Sequence, residues 1–273
     1  MRIGVLRGVS LYVLPGAVLS AAALFAVAAA APGDPALAKV LACMRANVPP
    51  TLRIQDLELQ ATDRAGGTRT LKGRLYALRE HGLLRAMLRI AAPPDLAGAA
   101  YLVRETAEAS RADEMYLYLP ALNRVRRIAG ASAEDSFLGT DFSYSELKQI
   151  ENAFNDADGQ LEAPAQLDGR TVDVLAFRPR AAAGSRYSAL RAWVDRKTCV
   201  ALKVDFYEGA APRKELSASA SALARSGSYW YLTQAEMRDL KDGTRTVLRI
   251  TGVTSGADLA ARYFDPHSFY LGN

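Results

Sequence analysis

Histidine and cysteine are scarce in this chain, with two of each among 273 residues. His81 lies in Glu80-His81-Gly82 and His267 follows Asp265-Pro266. Neither has a second ligand at helical or hairpin spacing, so both read as surface residues rather than metal ligands. HExxH, GxxxxGK(S/T), GxGxxG and CxxC are all missing, which removes the motif-based arguments for a zinc hydrolase, a nucleotide-binding loop, a dinucleotide site or a thiol redox centre. The nearest approach to a nucleophile elbow, Gly130-Ala131-Ser132-Ala133-Glu134, lacks the closing glycine and reads as a loop. Asn155-Asp156-Ala157-Asp158-Gly159 has the look of a calcium loop, but Phe154 and Ala165 would fall at its first and twelfth ligand positions, so it reads as a turn. The adjacent carboxylates Asp113-Glu114 read as the solvent-exposed start of a strand. The expectation is a non-enzyme with no cofactor and no metal.

Charge is missing from Val9 to Ala31, while Arg2 and Arg7 precede that run and Ala28-Ala29-Ala30-Ala31 closes it before Pro32-Gly33-Asp34. A basic start, an apolar middle and a small-residue end are the three parts of a secretory signal, and cleavage near Ala31 is the expected outcome. The alternative is a retained membrane anchor, since an uncharged run of this length could span a bilayer. Pro15-Gly16 within the run, and alanine in place of leucine in its second half, favour cleavage. The expected layout is therefore a signal peptide over 1–31 and one domain over 32–273, located in the periplasm. Without Arg2 and Arg7 the formal charge falls from +5 to +3. That mild excess does not amount to a nucleic-acid footprint, and export removes nucleic acid as a partner.

The mature part also lacks helical periods alternating with strands, which excludes a doubly wound fold. It has no low-complexity linker. One helix is expected at the start: Asp34 is an N-cap, Pro35 suits the first helical position, and Leu37, Val40, Leu41 and Met44 fall on one face. After Pro49-Pro50 the period becomes two. Leu52 to Gln60 alternates, with a slip at Gln55-Asp56 that predicts a bulge. Gly66-Gly67 turns the chain, and further strands are expected over 68–79, 87–90, 99–103, 114–119, 124–128, 171–177, 187–194, 200–207, 214–220, 229–237 and 244–253. Asp158-Gly159, Asp168-Gly169 and Asp242-Gly243 are tight-turn dipeptides. Residues 223–228 read as a loop. The fold class is mainly antiparallel β, a barrel or strongly curved sheet. Ser143-Tyr144-Ser145-Glu146 has capping-box spacing, so a short helix is expected there, on the sheet or over its open end.

In an oxidising compartment Cys43 and Cys199 are expected to pair, tying the first helix to the second half of the chain. Two free thiols, or lipidation of Cys43 within Val40-Leu41-Ala42-Cys43, are the alternatives. Asp34 and Lys39 separate that tetrapeptide from the apolar run, which speaks against lipidation.

The segment from Glu114 to Leu147 carries most of the information. Met115, Leu117 and Leu119 share one strand face while Tyr116 and Tyr118 share the other, so neither face is freely wetted. That pattern fits a curved sheet with core on one side and a helix-lidded cavity on the other, or equally the inner strand of a sandwich. Met115, Leu117, Leu119, Phe142 and Tyr144 are the candidate cavity residues. Arg124, Arg126 and Arg127 form either a solvated face or a contact for an acidic partner or lipid headgroup. At this segment, the run Tyr118-Leu119-Pro120-Ala121-Leu122-Asn123-Arg124-Val125-Arg126-Arg127-Ile128 and the stretch Phe137 to Leu147 (FLGTDFSYSEL) resemble the signature of the outer-membrane lipoprotein-sorting proteins, relatives of the LolA/LolB carriers. The resemblance continues through Cys43 to Pro49, Pro94 to Gly98 and Val194 to Val200. It implies an incomplete, strongly curved antiparallel barrel with helices covering its concave face. It also implies a monomeric periplasmic carrier for lipid or lipidated, lipoprotein-like cargo. An accessory subunit docking on an RND-type transporter is the second reading. In a carrier, the helix after Ser143 would gate the hollow.

Overall fold

The computed structural model describes Met1 and residues 34–108, 111–151, 157–179, 184–255 and 261–271. The expected signal peptide, and Asn155-Asp156 of the calcium-like stretch, lie outside the described residues. Every element below belongs to the compact unit Pro32–Asn273. Among the described residues no helix is long and apolar enough to cross a membrane.

Helix α1 (Pro35–Ala46) begins where the cap predicts, with the Asp34 carboxylate accepting from the Ala36 N–H at 2.9 Å. It buries Leu37 and Met44. The chain then enters a fourteen-stranded sheet, antiparallel throughout. Its first half is a meander of β1 (Arg53–Thr62), β2 (Thr68–Glu80), β3 (Leu83–Ala92), β4 (Ala100–Arg104), β5 (Glu114–Leu119) and β6 (Arg124–Ile128). Its second half contains β7 (Ala157–Leu161), β8 (Ala165–Leu167), β9 (Arg170–Pro179), β10 (Ala189–Asp195), β11 (Ala201–Glu208), β12 (Ala211–Ser217), β15 (Gln234–Asp239) and β16 (Thr244–Ser255). β13 (Leu223–Ser226) and β14 (Tyr229–Leu232) make a separate hairpin. The spatial order β6-β5-β4-β3-β2-β1-β16-β15-β12-β11-β10-β9-β7 closes no ring, so the sheet keeps two edges, β6 and β7, with β8 also on β9.

The slip at Gln55-Asp56 is a bulge, since the β1–β16 register shifts between Asp56 and Leu57. Asp168-Gly169 and Asp242-Gly243 make their tight turns, each glycine at positive φ. Asp158-Gly159 does not. It lies inside β7, where a Cβ on Gly159 would stand 2.8 Å from the Phe177 ring, so this glycine permits close packing rather than a turn. The 223–228 stretch is likewise half strand and half turn, because Gly227 at φ 59° lets β13 fold back onto β14. The single strand expected over 229–237 is therefore two, β14 in the small hairpin and β15 in the main sheet.

Laid flat, thirteen neighbouring strands at about 4.8 Å each would span roughly 60 Å. Yet one continuous core joins Met115, Leu117 and Ile128 at one end to Phe177, Leu190 and Phe206 near the other. The sheet achieves this by curving round its own apolar face, with α1 and the segment after β6 filling the concave side. A second, smaller core lies on the convex face: Tyr76, Met87, Leu102 and partly buried Tyr116 and Tyr118 pack against Tyr263, Phe264, Phe269 and Tyr270 of the C-terminal segment. The Tyr118 and Tyr270 rings stack at 4.4 Å between centroids. The tyrosine face of β5 is thus covered by the chain's own end, not by a helix-lidded cavity.

Cys43 and Cys199 form a disulfide with Cα atoms 5.7 Å apart. The turn that presents Cys199 is set by Asp195, whose carboxylate accepts from the Thr198 N–H and hydroxyl and pairs with Arg170 at 2.7 Å. Asn47, just past α1, donates to Thr198 O at 2.7 Å and accepts from Trp230 N at 2.9 Å, joining helix, turn and hairpin at one point.

Candidate functional site

The concave face is closed by residues 129–151, and this segment has an apolar side and a polar side. Phe137 and Phe142 are 0 % exposed and, with Tyr144 and Leu147, insert among the sheet's inward leucines. Tyr101 on β4 donates its hydroxyl to Tyr144 O at 2.7 Å and packs against both Phe137 and Tyr144. All five expected cavity residues, Met115, Leu117, Leu119, Phe142 and Tyr144, do share this core. None of the five is among the residues that line the small apolar cavity beside this segment. That cavity, of about 20 Å³, lies between Leu57, Leu75, Ala86, Leu88, Tyr101, Val103, Leu147 and the stem of Lys148. It has room for about one water.

The capping box forms as the spacing predicts: Ser143 N donates to Glu146 Oε2 at 2.7 Å, and Glu146 N donates back to Ser143 Oγ at 3.2 Å. The turn it opens, Glu146–Glu151, is 3₁₀ rather than α. Glu146 does more than cap. Lys214 on β12 donates to its carboxylate at 3.0 Å and to Asp141 O at 2.7 Å, and the Tyr187 hydroxyl donates to Glu146 Oε1. Burial and the adjoining Glu146 charge push Tyr187 far above the usual tyrosine value, so it remains a neutral donor. Ser145 Oγ bonds Glu134 Oε1 at 2.9 Å. Burial raises the Glu134 carboxyl above its ordinary value, as does the nearby Glu146 charge, against the lowering effect of the Ser145 bond. Asp141 accepts from the Thr244 and Thr246 hydroxyls of β16. Lys148 pairs with Asp113 at 2.9 Å, both 7 % exposed. Asp113 is therefore a buried anchor, not the solvated strand start its sequence suggests. Beside this network opens a polar cleft of about 560 Å³ whose walls include Glu134, Thr140, Asp141, Arg186, Arg213 and Lys214.

The chemistry of this arrangement is mechanical. Paired charges and hydroxyls fasten an apolar plug to both halves of the sheet. Lys214 and Tyr187 escaped sequence reasoning because their partner Glu146 lies 68 and 41 residues away, and Glu134 because its bond to Ser145 spans a loop with no local pattern. The one local signal was Ser143-x-x-Glu146. Among the described residues no group of three or more histidine, cysteine or carboxylate side chains could hold a metal ion.

Arg124, Arg126 and Arg127 do not form a single patch. In register with Leu119 and Leu117, Arg124 and Arg126 stand on the core side of β6, whereas Arg127 opposite Tyr116 stands on the convex side. All three are exposed. Arg124 also reaches a convex-side groove of about 950 Å³ lined by Tyr116, Val125, Phe264, His267 and Tyr270.

A family model described only as "Uncharacterized protein" matches residues 82–269, more than half of the chain. No curated protein matches it in sequence. Among solved structures, a DUF1329 family protein from Desulfovibrio piger aligns with TM-score 0.76 at 23 % identity, covering 85 % of this chain and 98 % of that one. A domain described as outer membrane lipoprotein-sorting, from Vibrio parahaemolyticus, aligns with TM-score 0.75 at 24 % identity over 85 % and 97 % of the two chains. A LolA superfamily protein from Nitrosomonas europaea gives TM-score 0.63 at 15 % identity over 84 % and 96 %. The chain belongs to the family of that matching model, and its fold is the LolA/LolB-like half-barrel of the lipoprotein-sorting proteins.

Proposed function

We propose that this protein is an exported, periplasmic carrier that takes a lipid or the acyl chains of a lipidated, lipoprotein-like cargo into the concave side of its half-barrel. The observation that carries the proposal is the construction of the plug. Its apolar face lies on an apolar sheet, while its attachment to both halves of that sheet is polar, through Glu146–Lys214, Lys148–Asp113 and Asp141–Thr246. A segment fastened by a few polar points can be lifted, and the surface left behind is hydrophobic. Each buried CH₂ contributes about 0.8 kcal/mol, so part of one acyl chain would replace the contacts the plug gives up. The likeness in fold to a lipoprotein-sorting domain supports the same reading. Under it, residues 1–31 are a signal removed near Ala31, residues 32–273 form one monomeric domain, and delivery involves an RND-type transporter.

The packed interior supports a second reading. In it the plug stays where it packs, beside a cavity of about 20 Å³, and the protein serves as an accessory subunit docked on such a transporter. Native mass spectrometry of the mature protein separates the two. Co-purifying phospholipid or fatty acid, together with saturable uptake of a fluorescent fatty acid, is the carrier's result. An empty protein that takes up no probe would overturn the carrier reading and leave the accessory role.

A further inference from the structure

The edge strand β6 combines three features. It pairs with β5 on one side, and among the described residues nothing pairs with it on the other, so alternate N–H and C=O groups of Arg124–Ile128 face outward unbonded. Arg124, Arg126 and Arg127 are exposed and make no ion pair among the described residues. The rest of the strand is held firmly: Ile128 is 0 % exposed in the concave core and Val125 packs into the convex one. Most other surface arginines near this end are already matched, Arg85 with Glu80, Arg104 with Glu114 and Arg69 with Asp95. Among the described residues, positive charge without a counter-ion is thus concentrated on one of the sheet's edge strands, whose backbone can still accept a neighbour.

We propose that β6 is a docking edge for an extended acidic segment of a partner protein, which adds to the sheet as a further strand. Backbone hydrogen bonds would supply the attachment and alternating carboxylates the selectivity. Because Arg124 and Arg126 lie on one face and Arg127 on the other, the fitting segment has acids at consecutive positions and meets the arginines on both sides of the extended sheet. A second copy of this chain is a poor occupant. β6 against β6 would set arginines opposite arginines, and like charges directly opposed in a sheet destabilise the pairing. The proposal concerns a partner rather than cargo, so it stands or falls separately from the carrier reading.

The test uses the disulfide-bonded mature protein and a labelled ten-residue peptide with a run of consecutive Asp and Glu, read by fluorescence anisotropy. Three further probes accompany it: the same peptide N-methylated at alternate residues, the Arg124→Glu/Arg126→Glu/Arg127→Glu variant, and phosphatidylglycerol vesicles. The expected result is saturable peptide binding that weakens at least tenfold on N-methylation and at least tenfold in the variant. The variant should melt as the parent does, and the milder Arg126→Gln should weaken binding by a smaller factor. Three results would each overturn the proposal: equal binding of the N-methylated peptide, which reduces the contact to charge alone; no peptide binding at millimolar concentration; or vesicle binding that the peptide fails to displace, which makes the arginines a lipid-headgroup contact.

Discussion

At the scale of single residues, Glu146 is the joint on which the plug depends. It closes the capping box, receives Lys214 and Tyr187, and is 2 % exposed. Removing one partner of a buried pair leaves an uncompensated charge, so Lys214→Met is expected to destabilise by about 3–5 kcal/mol in urea titration. Adding Glu146→Leu to it should restore part of the loss, because no charge is then left unpaired. Glu134 gives a pH signature. Burial holds its carboxyl above the unfolded glutamate value of about 4.3, so the folded chain keeps a proton that the unfolded chain releases. Its contribution is fully present below that value and is lost as pH rises through the folded pKa. Glu134→Gln should remove this slope, making the variant more stable relative to the parent at pH 7 than at pH 4 when both are followed by thermal melting. Asp195 works in the opposite direction. Burial disfavours its charge, but Arg170 and Thr198 hold it below the usual aspartate value, so its contribution is lost as pH falls into the acid range.

At the scale of elements, the disulfide and the C-terminal segment perform tasks the sheet cannot. The bridge closes a loop of 156 residues between α1 and the β10–β11 turn, and chain entropy alone puts its contribution at up to about 5 kcal/mol. A Cys43→Ala/Cys199→Ala variant should lose several kcal/mol in denaturant titration and should no longer respond to reductant, whereas the parent should fall toward it on reduction. Most elements were legible from period and punctuation: the Asp34–Pro35 helix start, the bulge after Asp56, the turns at Asp168-Gly169 and Asp242-Gly243. Misreadings arose where a residue served a distant partner. Gly159 looked like a turn glycine and is in fact the space beneath the Phe177 ring. The β13–β14 hairpin lay hidden because all its strand residues but one are only partly buried, so no apolar alternation marks a face.

At the scale of the whole molecule, the half-barrel has residues 129–151 packed into its concave side. If an apolar ligand enters where the plug now packs, filling the residual cavity should compete with it. Ala86, 5 % exposed on the cavity wall, is the position to enlarge. Ala86→Leu is expected to cost about 1–3 kcal/mol by overpacking. It should lower fatty-acid uptake several-fold, measured by fluorescence titration against a protein that still melts cooperatively. Unchanged uptake would place the ligand elsewhere than against this wall.

Most of the strands, the turns at Asp168-Gly169 and Asp242-Gly243, the cap at Ser143 and the two cysteines able to meet were readable in the sequence, because each depends on neighbours within a few residues or on the compartment. The period-two pattern of Met115 to Leu119 likewise showed two covered faces. What covers them was decided only in three dimensions. The concave side holds a plug tied by Lys214, and the convex side holds Phe269 and Tyr270 from the far end of the chain. Alternation records that a face is buried but not by what, since hydrophobic burial is non-directional and any apolar surface of the right shape will serve. The same holds for the three arginines. Period two alone divides them between two faces, but which face is the core side, and that their strand is an edge, follows from register with β5, which belongs to the sheet and not to the segment itself.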